Sequence, residues 1–254
     1  MKLTKCCTVK KGKKLYEGKA KILYETEDPA LFIQSFKDDI TAFDATKKDS
    51  IKNKGICNNK ISAAVFTFLK EKGIDNHFVK LLNEQDMLVK KVKIIPLEVT
   101  IRNRIAGGMS RLLKLKEGTP LKSPVFEFHY KKDELHDPLI NEYHIIALGI
   151  ATPEEISRIK ELSFRINDLL KAYFDRIDLE LIDFKLEFGR VGKEIILADE
   201  ISPDTCRLWD KSTQKKLDKD RFRRDLGEVE QTYQEILKRV LKLVVINRAG
   251  HRNS

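Results

Sequence analysis

Hydrophobic residues in the first part of the chain recur in short runs with strand-like alternation. Four such runs, KILYET, LFIQSF, HFVKLL and DMLVKKV, fall between positions 21 and 92. They surround a single stretch with helical spacing at 58–71. The pattern predicts several short β-strands and one helix in this part of the protein.

Beyond position 92 the pattern changes to longer elements. A turn at Pro96 precedes a strand, EVTIRNRIA, and Gly107 and Gly108 then lead into the helical spacing of MSRLLKL. The TPEE sequence has a threonine suited to an N-cap, a proline at the first helical position and a glutamate at the third. It predicts a long helix from Thr152 to Phe174.

Two further elements close the chain. The segments LIDFKLEFG and EIILADE flank a turn at 189–193 and predict a β-hairpin. Strands and helices mixed without regular βαβ alternation indicate the α+β class. Residues 220–243 predict one amphipathic helix, in which apolar residues recur at three- and four-residue steps: Phe222, Leu226, Val229, Tyr233, Ile236, Val240 and Leu243.

The hairpin segment LIDFKLEFG carries charge at every second position. Asp183, Lys185 and Glu187 share one face of the predicted strand, with apolar residues on the other. A half-exposed strand with solvated charges gives the same alternation. The next segment ends in further acids, including Asp199, and a site for a magnesium-bound nucleotide explains this gathering of carboxylates around Lys185 better.

The register of this hairpin decides which acids meet. A tight turn centred near Val191 sets Asp183 opposite Asp199. Bringing Glu187 next to Asp199 requires a longer or bulged loop. The sequence leaves both arrangements open.

Two other segments carry candidate anion-binding residues. Gly18 is followed by Lys19 and Lys21 at strand spacing, and backbone amides with lysines could cover phosphates although no Walker motif is present. Lysines on an edge strand also serve to prevent aggregation. Arg102 and Arg104 lie on one face of a strand before the two glycines, in a pattern that suits bidentate phosphate binding but also occurs on ordinary surfaces.

Composition narrows the class of partner. Lysine and arginine number 49 against 39 acids, giving a net charge of +10 over 254 residues, which favours nucleic acids, membrane surfaces or phosphorylated metabolites as partners. The basic residues are spread along the chain, which weakens the nucleic-acid prediction. No apolar run approaches the roughly 18 residues of a membrane span, and the cysteine spacing indicates a reducing cytoplasm. We therefore expect small-molecule substrates, and no nucleic-acid or membrane partner.

Five sequence blocks together resemble one enzyme family. LYEGKAKILY, KGICNNKIS, IIPLEVTIRNRIAGG, LIDFKLEFG and LADEISPDTCRLWDK occur in this order and cover nearly the full chain. They are similar to the SAICAR synthetases (phosphoribosylaminoimidazole-succinocarboxamide synthases) of the short bacterial single-function type. The resemblance implies a β-rich nucleotide-binding lobe at 1–92 and a larger α+β lobe at 93–254 for substrate and metal. It also implies a relation to ATP-grasp and kinase folds, ATP in the cleft between the lobes, and a homodimer.

The resemblance implies an activity of de novo purine synthesis. ATP, L-aspartate and the carboxylate of 5-amino-1-(5-phosphoribosyl)imidazole-4-carboxylate give SAICAR, ADP and phosphate. We expect transfer of the γ-phosphoryl group to the ribotide carboxylate, followed by attack of the aspartate amine on the acyl phosphate. Two alternatives stay open: a basic nucleic-acid-binding module, and another ATP-dependent ligase or small-molecule kinase on the same fold.

The resemblance also implies a set of site residues. The expected metal ligands for Mg²⁺ are Glu187 and Asp199. The residues expected to bind ATP are Gly18, Lys19, Lys21 and Lys131. The residues expected to bind substrate are Arg102, Arg207, Gly108, Ser110, Asp137, Asp204 and Arg223. The expected catalytic residues are Lys185, Asp183 and Asp44. The family's arginine block ordinarily ends in Ala-Gly-Ser, whereas Gly108 replaces the serine here. We expect a weakened phosphate contact, or one rerouted to Ser110.

Overall fold

The computed structural model describes residues 9–42 and 46–250. Its N-terminal part is a five-stranded antiparallel sheet in the order β1-β2-β3-β7-β6, with a separate β4–β5 hairpin and one helix. These elements are β1 (Lys14–Glu17), β2 (Lys21–Glu25), β3 (Leu31–Phe36), β4 (Asp39–Ala42), β5 (Lys47–Ser50), α1 (Lys54–Glu71), β6 (Phe78–Leu81) and β7 (Asp86–Lys90).

The following part is a six-stranded antiparallel sheet with helices against it. The strand order is β10-β9-β8-β11-β12, and β13 pairs with the first half of β11 on the same edge as β12. The elements are β8 (Lys93–Arg104), α2 (Gly107–Leu113), β9 (Pro120–Tyr130), a 3₁₀ turn (Asp133–Leu135), β10 (Leu139–Ile140), α3 (Glu142–Ala147), α4 (Pro153–Asp175), β11 (Leu179–Val191), β12 (Glu194–Ala198), β13 (Cys206–Asp210), α5 (Asp220–Arg223) and α6 (Val229–Gly250). This architecture confirms the predicted α+β class.

One hydrophobic core runs beneath both sheets. The apolar face of β11 contributes Phe184, Leu186 and Phe188, each 1% exposed. These side chains belong to the same buried cluster as residues of α1, α4 and α6. The alternation in LIDFKLEFG therefore has the predicted meaning on its apolar side: that face of the strand is core.

Backbone hydrogen bonds join the end of β12 to the segment before β6, and so connect the two sheets. The N–H of His77 donates to Leu197 O at 2.9 Å, and the N–H of Leu197 donates to Asp75 O at 3.0 Å. This link places the end of β12 beside the five-stranded sheet. The predicted domain boundary at 92/93 falls between β7 and β8 and stays a prediction.

The start of α4 confirms the capping prediction in detail. Thr152 is the N-cap, and its hydroxyl accepts from the N–H of Glu155 at 3.2 Å. The Glu155 carboxylate accepts in turn from the N–H of Thr152 at 2.9 Å. This reciprocal pair satisfies two backbone donors that a helix start otherwise leaves unpaired.

The single closing helix predicted at 220–243 is wrong, because the chain forms two helices with a reversal between them. The backbone φ is positive at Asp225, Gly227 and Glu228, which no continuous α-helix permits. The Arg221 guanidinium stabilises the reversal by donating to the carbonyls of Leu226 and Gly227 at 2.7 Å each. Gly227 was the available signal, and the apolar periodicity concealed it.

The turn predicted at Pro96 is also wrong, since Pro96 lies inside β8. Glu98 pairs with Glu187, whereas Ile94 pairs with Gly189, so the register shifts between these pairs. The extra residues on β8 form a bulge, where proline's missing N–H costs no ladder hydrogen bond. Helices α1 and α2 begin four and two residues earlier than predicted, at Lys54 and Gly107.

Candidate active site

The register of the β11–β12 hairpin sets the geometry of the site. Val191 pairs with Glu194, so the turn consists of Gly192 and Lys193 alone, and Glu187 pairs with Ala198. Asp199 therefore follows the residue opposite Glu187. The expectation that this arrangement needs a longer or bulged loop is wrong: a tight turn centred between Gly192 and Lys193, rather than near Val191, produces it.

The charged face of β11 is buried. Asp183 is 3% exposed and Glu187 is 2% exposed, while the Lys185 side chain is 27% exposed. Ionised groups are buried only at a high cost in free energy unless they are paired. This burial excludes the alternative of a solvated strand face and requires a partner for each charge.

The partners of Glu187 and Asp199 are lysines from both sheets. Lys185 donates to Glu187 Oε1 at 2.7 Å and lies 3.7 Å from Asp199 Oδ2. Lys131 donates to the other oxygen of Glu187, and Lys21 donates to Asp199. Lysines expected to bind phosphate thus meet the two acids expected to bind metal.

Sequence reasoning missed Glu98 in this cluster. It accepts from Lys185 Nζ at 2.8 Å. Glu98 lies on β8 directly opposite Glu187, so the side chains of the two acids lie on the same face of the sheet. Nothing in the sequence around Glu98 reveals this cross-strand pairing, because it depends on how β8 and β11 align.

The charged groups of this cluster shift one another's pKa values. Burial by itself raises the pKa of Asp199, but the charges of Lys21, Lys185 and Lys131 lower it well below the ordinary value. Burial lowers the pKa values of Lys21 and Lys185, yet the nearby carboxylates overcome it and raise both above the ordinary range. Asp199, Lys21 and Lys185 are therefore ionised at neutral pH.

A cavity of about 360 Å³ opens directly onto these charges. One end is lined by Lys21, Lys131, Glu187 and Asp199, and burial lowers the pKa of a further lining residue, His77, to about 4, so its imidazole is neutral at pH 7. Most of the remaining lining is apolar, and Gln34 and Lys90 complete it; the apolar residues are Tyr16, Leu23, Phe32, Val89, Val92 and Ile94. The cavity combines an apolar surface for a flat ring with cations for phosphates.

Two residues predicted to bind the nucleotide lie in the turn between β1 and β2. The N–H of Gly18 donates to Lys21 O at 2.8 Å, which closes the turn. Lys19 donates to Asp133 in the 3₁₀ turn at 2.7 Å. In the same region the carboxylate of Asp137 accepts from the N–H of Lys132 at 2.8 Å.

A second cluster lies further along the same face of β11. Asp183 pairs with Arg102 of β8 on one side and with Arg207 of β13 on the other. Its carboxylate accepts from Arg102 Nη1 at 2.6 Å and from Arg207 Nη1 at 2.9 Å. The open question about Asp183 is thereby answered: it holds two arginines together, and Glu187 rather than Asp183 lies beside Asp199.

Further acids fix each arginine in place. Glu127 of β9 lies 2.8 Å from Arg102 Nη2. Asp220 of α5 accepts from Arg207 Nε at 2.9 Å and from Arg223 Nη1 at 2.5 Å. Burial lowers the pKa of Arg207, but Asp183 and Asp220 raise it well above the ordinary value, which keeps the guanidinium charged.

The glycine pair before α2 lies against these arginines. At Gly107 a Cβ would lie 2.6 Å from the Arg207 guanidinium, so any larger residue would have to displace that guanidinium. At Gly108 a Cβ would lie 3.8 Å from Arg102 Nη2, which leaves room for a side chain. Ser110 donates its hydroxyl to Leu115 O at 2.7 Å and is engaged there.

Asp204 joins three elements at the edge of the site. Its carboxylate accepts from Lys54 at 2.6 Å, from Asn58 at 2.9 Å and from the Tyr233 hydroxyl at 2.6 Å. Lys54 is fully buried, and sequence reasoning missed it. The predicted catalytic residue Asp44 lies outside the described residues.

These two clusters define a class of protein. Lysines and paired acids at one cavity, with two arginines held by Asp183 further along the same face of β11, indicate an enzyme that binds phosphorylated ligands. Comparison with known proteins identifies the family within this class. The SAICAR synthetase family model matches residues 14–240.

Individual relatives align with this chain over almost their whole length. The phosphoribosylaminoimidazole-succinocarboxamide synthase of Fusobacterium nucleatum is 56% identical over 233 residues, which cover 91% of this chain and 98% of the relative. The crystal structure of the Ehrlichia chaffeensis synthase is 50% identical, with a TM-score of 0.88 over 90% of this chain and 98% of that one. A SAICAR synthetase in complex with ADP is 47% identical, with a TM-score of 0.86 over 89% and 96%.

The chain belongs to the SAICAR synthetase family. The family resemblance drawn from five sequence blocks is confirmed, as are the enzyme class and the ATP-dependent ligation in purine biosynthesis that it implied. Among the described residues, no helix is both long enough and apolar enough to cross a membrane.

Proposed function

We propose that this chain joins L-aspartate to the carboxylate of 5-amino-1-(5-phosphoribosyl)imidazole-4-carboxylate, converting ATP to ADP and phosphate. The observation that carries the proposal is that one face of β11 supplies both clusters, with Asp183 in one and Glu187 in the other. Four residues of strand separate their Cα atoms by roughly 13 Å. This spacing suits a ribotide with its 5′-phosphate at the arginines and its carboxylate at the lysines.

ATP occupies the cavity at the junction of the two sheets in this proposal. The apolar wall packs against the base, and Lys21, Lys131 and Lys185 contact the phosphates. Gly18 and Lys19 cover the phosphates from the β1–β2 turn. The support is that Lys21 and Lys131 line a mostly apolar cavity together with Glu187, the acid that pairs with Lys185.

The donor set fits Mg²⁺ that arrives with the nucleotide. Among the described residues there is no group of three or more His, Cys, Asp or Glu that could hold a metal ion. Mg²⁺ commonly binds one or two carboxylates and takes its other ligands from phosphates and water. Glu187 and Asp199 are such a pair, and the lysines balance their charge until the nucleotide binds. When bound, Mg²⁺ would neutralise phosphate charge during phosphoryl transfer.

The arginine cluster binds the ribotide's 5′-phosphate. Arg102 and Arg207 supply forked donors that match phosphate oxygens, and Asp183 holds both guanidinium groups in fixed orientations. Arg223 extends the positive surface beside Asp220. Asp137, Asp204, Gly108 and Ser110 stay predictions as substrate-binding residues.

Ligation proceeds in two steps. A ribotide carboxylate oxygen attacks the γ-phosphorus of ATP, the bond to the β–γ bridging oxygen breaks, and ADP leaves. The aspartate amine then attacks the acyl carbon, the bond to the phosphate oxygen breaks, and the amine loses a proton. Lys185 orients the ribotide carboxylate and neutralises its charge. No protein nucleophile is needed, because the carboxylate and the amine of the substrates are the attacking groups. The catalytic role of Asp44 stays a prediction.

We also propose that the protein acts in the cytoplasm as a homodimer. Support for the dimer comes from the family resemblance and from large apolar side chains exposed on and beside α3, such as Tyr143 at 83% and Leu148 at 64%. Buried dimer interfaces usually contain such residues. Sedimentation equilibrium of the purified chain tests this proposal, and a monomer at all concentrations would contradict it.

A coupled ADP-release assay with ribotide, MgATP and variable L-aspartate tests the proposed function. ADP release that requires both ribotide and aspartate is expected. Release with ribotide alone would indicate a small-molecule kinase. No release together with salt-dependent binding of RNA would favour a nucleic-acid-binding protein.

A further inference from the structure

Asp218 is a buried acid that the proposed reaction does not use. It is fully buried in the segment between β13 and α5. Its Oδ2 accepts from the N–H of Leu208 at 3.0 Å, and its Oδ1 accepts from the N–H of Asp220 at 2.7 Å. Both oxygens are therefore occupied by backbone donors.

Both of these backbone N–H groups belong to residues that hold Arg207 in place. Leu208 directly follows Arg207 in β13, so the first hydrogen bond fixes the backbone from which the guanidinium extends. Asp220 carries the carboxylate that accepts from Arg207 Nε at 2.9 Å. One carboxylate thus ties the strand of Arg207 to the backbone of its counter-ion.

The position of Arg207 tolerates little displacement. Its guanidinium lies against Gly107 on one side, where a Cβ would approach to 2.6 Å. On the other side its Nη1 donates to Asp183 at 2.9 and 3.0 Å. A shift of α5 relative to β13 would move the guanidinium either away from Asp183 or towards Gly107.

We propose that Asp218 is a positioning residue for the ribotide site, which holds α5 against β13 so that Arg207 meets the 5′-phosphate in one orientation. The inference rests on the proposed function, because it takes Arg207 as a phosphate ligand. An asparagine cannot replace Asp218 fully. It has one acceptor oxygen, and its NH₂ group would face the second backbone N–H.

The raised pKa of Asp218 is consistent with the proposed positioning role. Burial and the charge of Asp220 raise the pKa of Asp218 to about 7, against the opposing effects of Arg207 on β13 and Arg223 on α5. Burial raises the pKa of Tyr233 on α6, and the charge of Asp218 also contributes to that rise. Strongly raised pKa values of buried acids cluster at functional sites.

The test measures KM for ribotide and for ATP separately in Asp218→Asn and Asp210→Asn. Asp210, at the end of β13, is the matched control, because it too is a buried acid that accepts backbone N–H groups, those of Ser212 and Thr213. We expect Asp218→Asn to raise the ribotide KM roughly tenfold, as for one lost buried hydrogen bond. KM for ATP should change by less than about twofold, and Asp210→Asn should leave both constants near wild type.

An unchanged ribotide KM in folded Asp218→Asn, or equal rises in both constants, would overturn the inference. Arg207→Ala in the same assay separates it from the proposed function. If the ribotide KM rises in Arg207→Ala but not in Asp218→Asn, only the positioning role fails. If the wild type releases no aspartate-dependent ADP, the proposed function fails. Should circular dichroism show Asp218→Asn unfolded, Asp218→Ser keeps one acceptor and must show the same ribotide-selective rise.

Discussion

The guanidinium of Arg207 packs directly against Gly107. A Cβ at position 107 would lie 2.6 Å from Cζ, Nη1 and Nη2 of that arginine, and the backbone φ of +54° at Gly107 also favours glycine. The requirement for glycine here is therefore both conformational and steric. It links the glycine pair before α2 to the arginine on β13, which lies about 100 residues later in the chain.

Gly107→Ala should damage the ribotide site specifically. The added methyl group must displace the Arg207 guanidinium, so we expect the ribotide KM to rise at least about tenfold while KM for ATP changes little. Gly149→Ala is the matched control, because Gly149 has φ +64° but nothing within 4 Å of a Cβ. It should cost about 1 kcal/mol of stability and leave both KM values unchanged. Equal kinetic effects in the two variants would contradict the steric explanation.

Glu187→Gln should abolish most ADP formation without unfolding the protein. The amide keeps the shape of the side chain but removes the negative charge that meets Lys131 and Lys185. We expect kcat to fall by roughly 100-fold or more, because charge placement dominates phosphoryl transfer. Glu180→Gln on the same strand is the control, since Glu180 pairs only with Arg104 among the described ion pairs. Near-normal turnover in Glu187→Gln would exclude Glu187 as a metal ligand.

Arg207→Ala should weaken ribotide binding far more than ATP binding. Loss of a forked, charged donor to phosphate is worth about 1.5–3 kcal/mol, so the ribotide KM should rise roughly 10- to 150-fold. Arg104→Ala, on β8 two residues beyond Arg102, removes an arginine that pairs with Glu180 instead of Asp183. It should leave the ribotide KM within about threefold of wild type. A parallel rise in KM for ATP in Arg207→Ala would count against the 5′-phosphate role.

The stability of the protein should depend on pH through Asp218. Its pKa is raised to about 7 in the folded state from an ordinary 3.8. A group whose folded-state pKa is raised contributes stability below its unfolded pKa and loses that contribution as pH rises through the folded value. The free energy of unfolding of the wild type should therefore decline relative to that of Asp218→Asn between about pH 4 and pH 7. Urea denaturation across this range measures the difference, and parallel pH curves would contradict the raised pKa.

Local signals in the sequence predicted most elements correctly. The capping box at Thr152 and Glu155 fixed the start of α4, because it depends on residues only three positions apart. The alternation around Phe184 identified the core face of β11. The closing helix failed for the opposite reason: apolar periodicity continued through Leu226, while α5 ends at Arg223 and the backbone φ is positive at Asp225, Gly227 and Glu228.

The candidate site was predicted less completely than the fold. Lysines and acids in recognisable blocks, such as Lys185 and Asp199, were found from the sequence. Glu98 and Lys54 were missed, since their importance arises from a cross-strand contact with Lys185 and a helix-to-loop contact with Asp204. Asp183 was placed in the site, but its contact with two arginines could not be derived, because strand pairing on both edges of β11 determines it.

The sequence by itself determined the α+β class, the separation of charged and apolar faces on β11, and the family. These follow from local periodicity and from short motifs, which are properties of neighbouring residues. Only the tertiary structure decided that Glu187 rather than Asp183 lies beside Asp199, and that Asp183 holds Arg102 and Arg207. The reason is that a shift of hairpin register by one or two residues changes every cross-strand partner while leaving the alternation of the sequence unaltered.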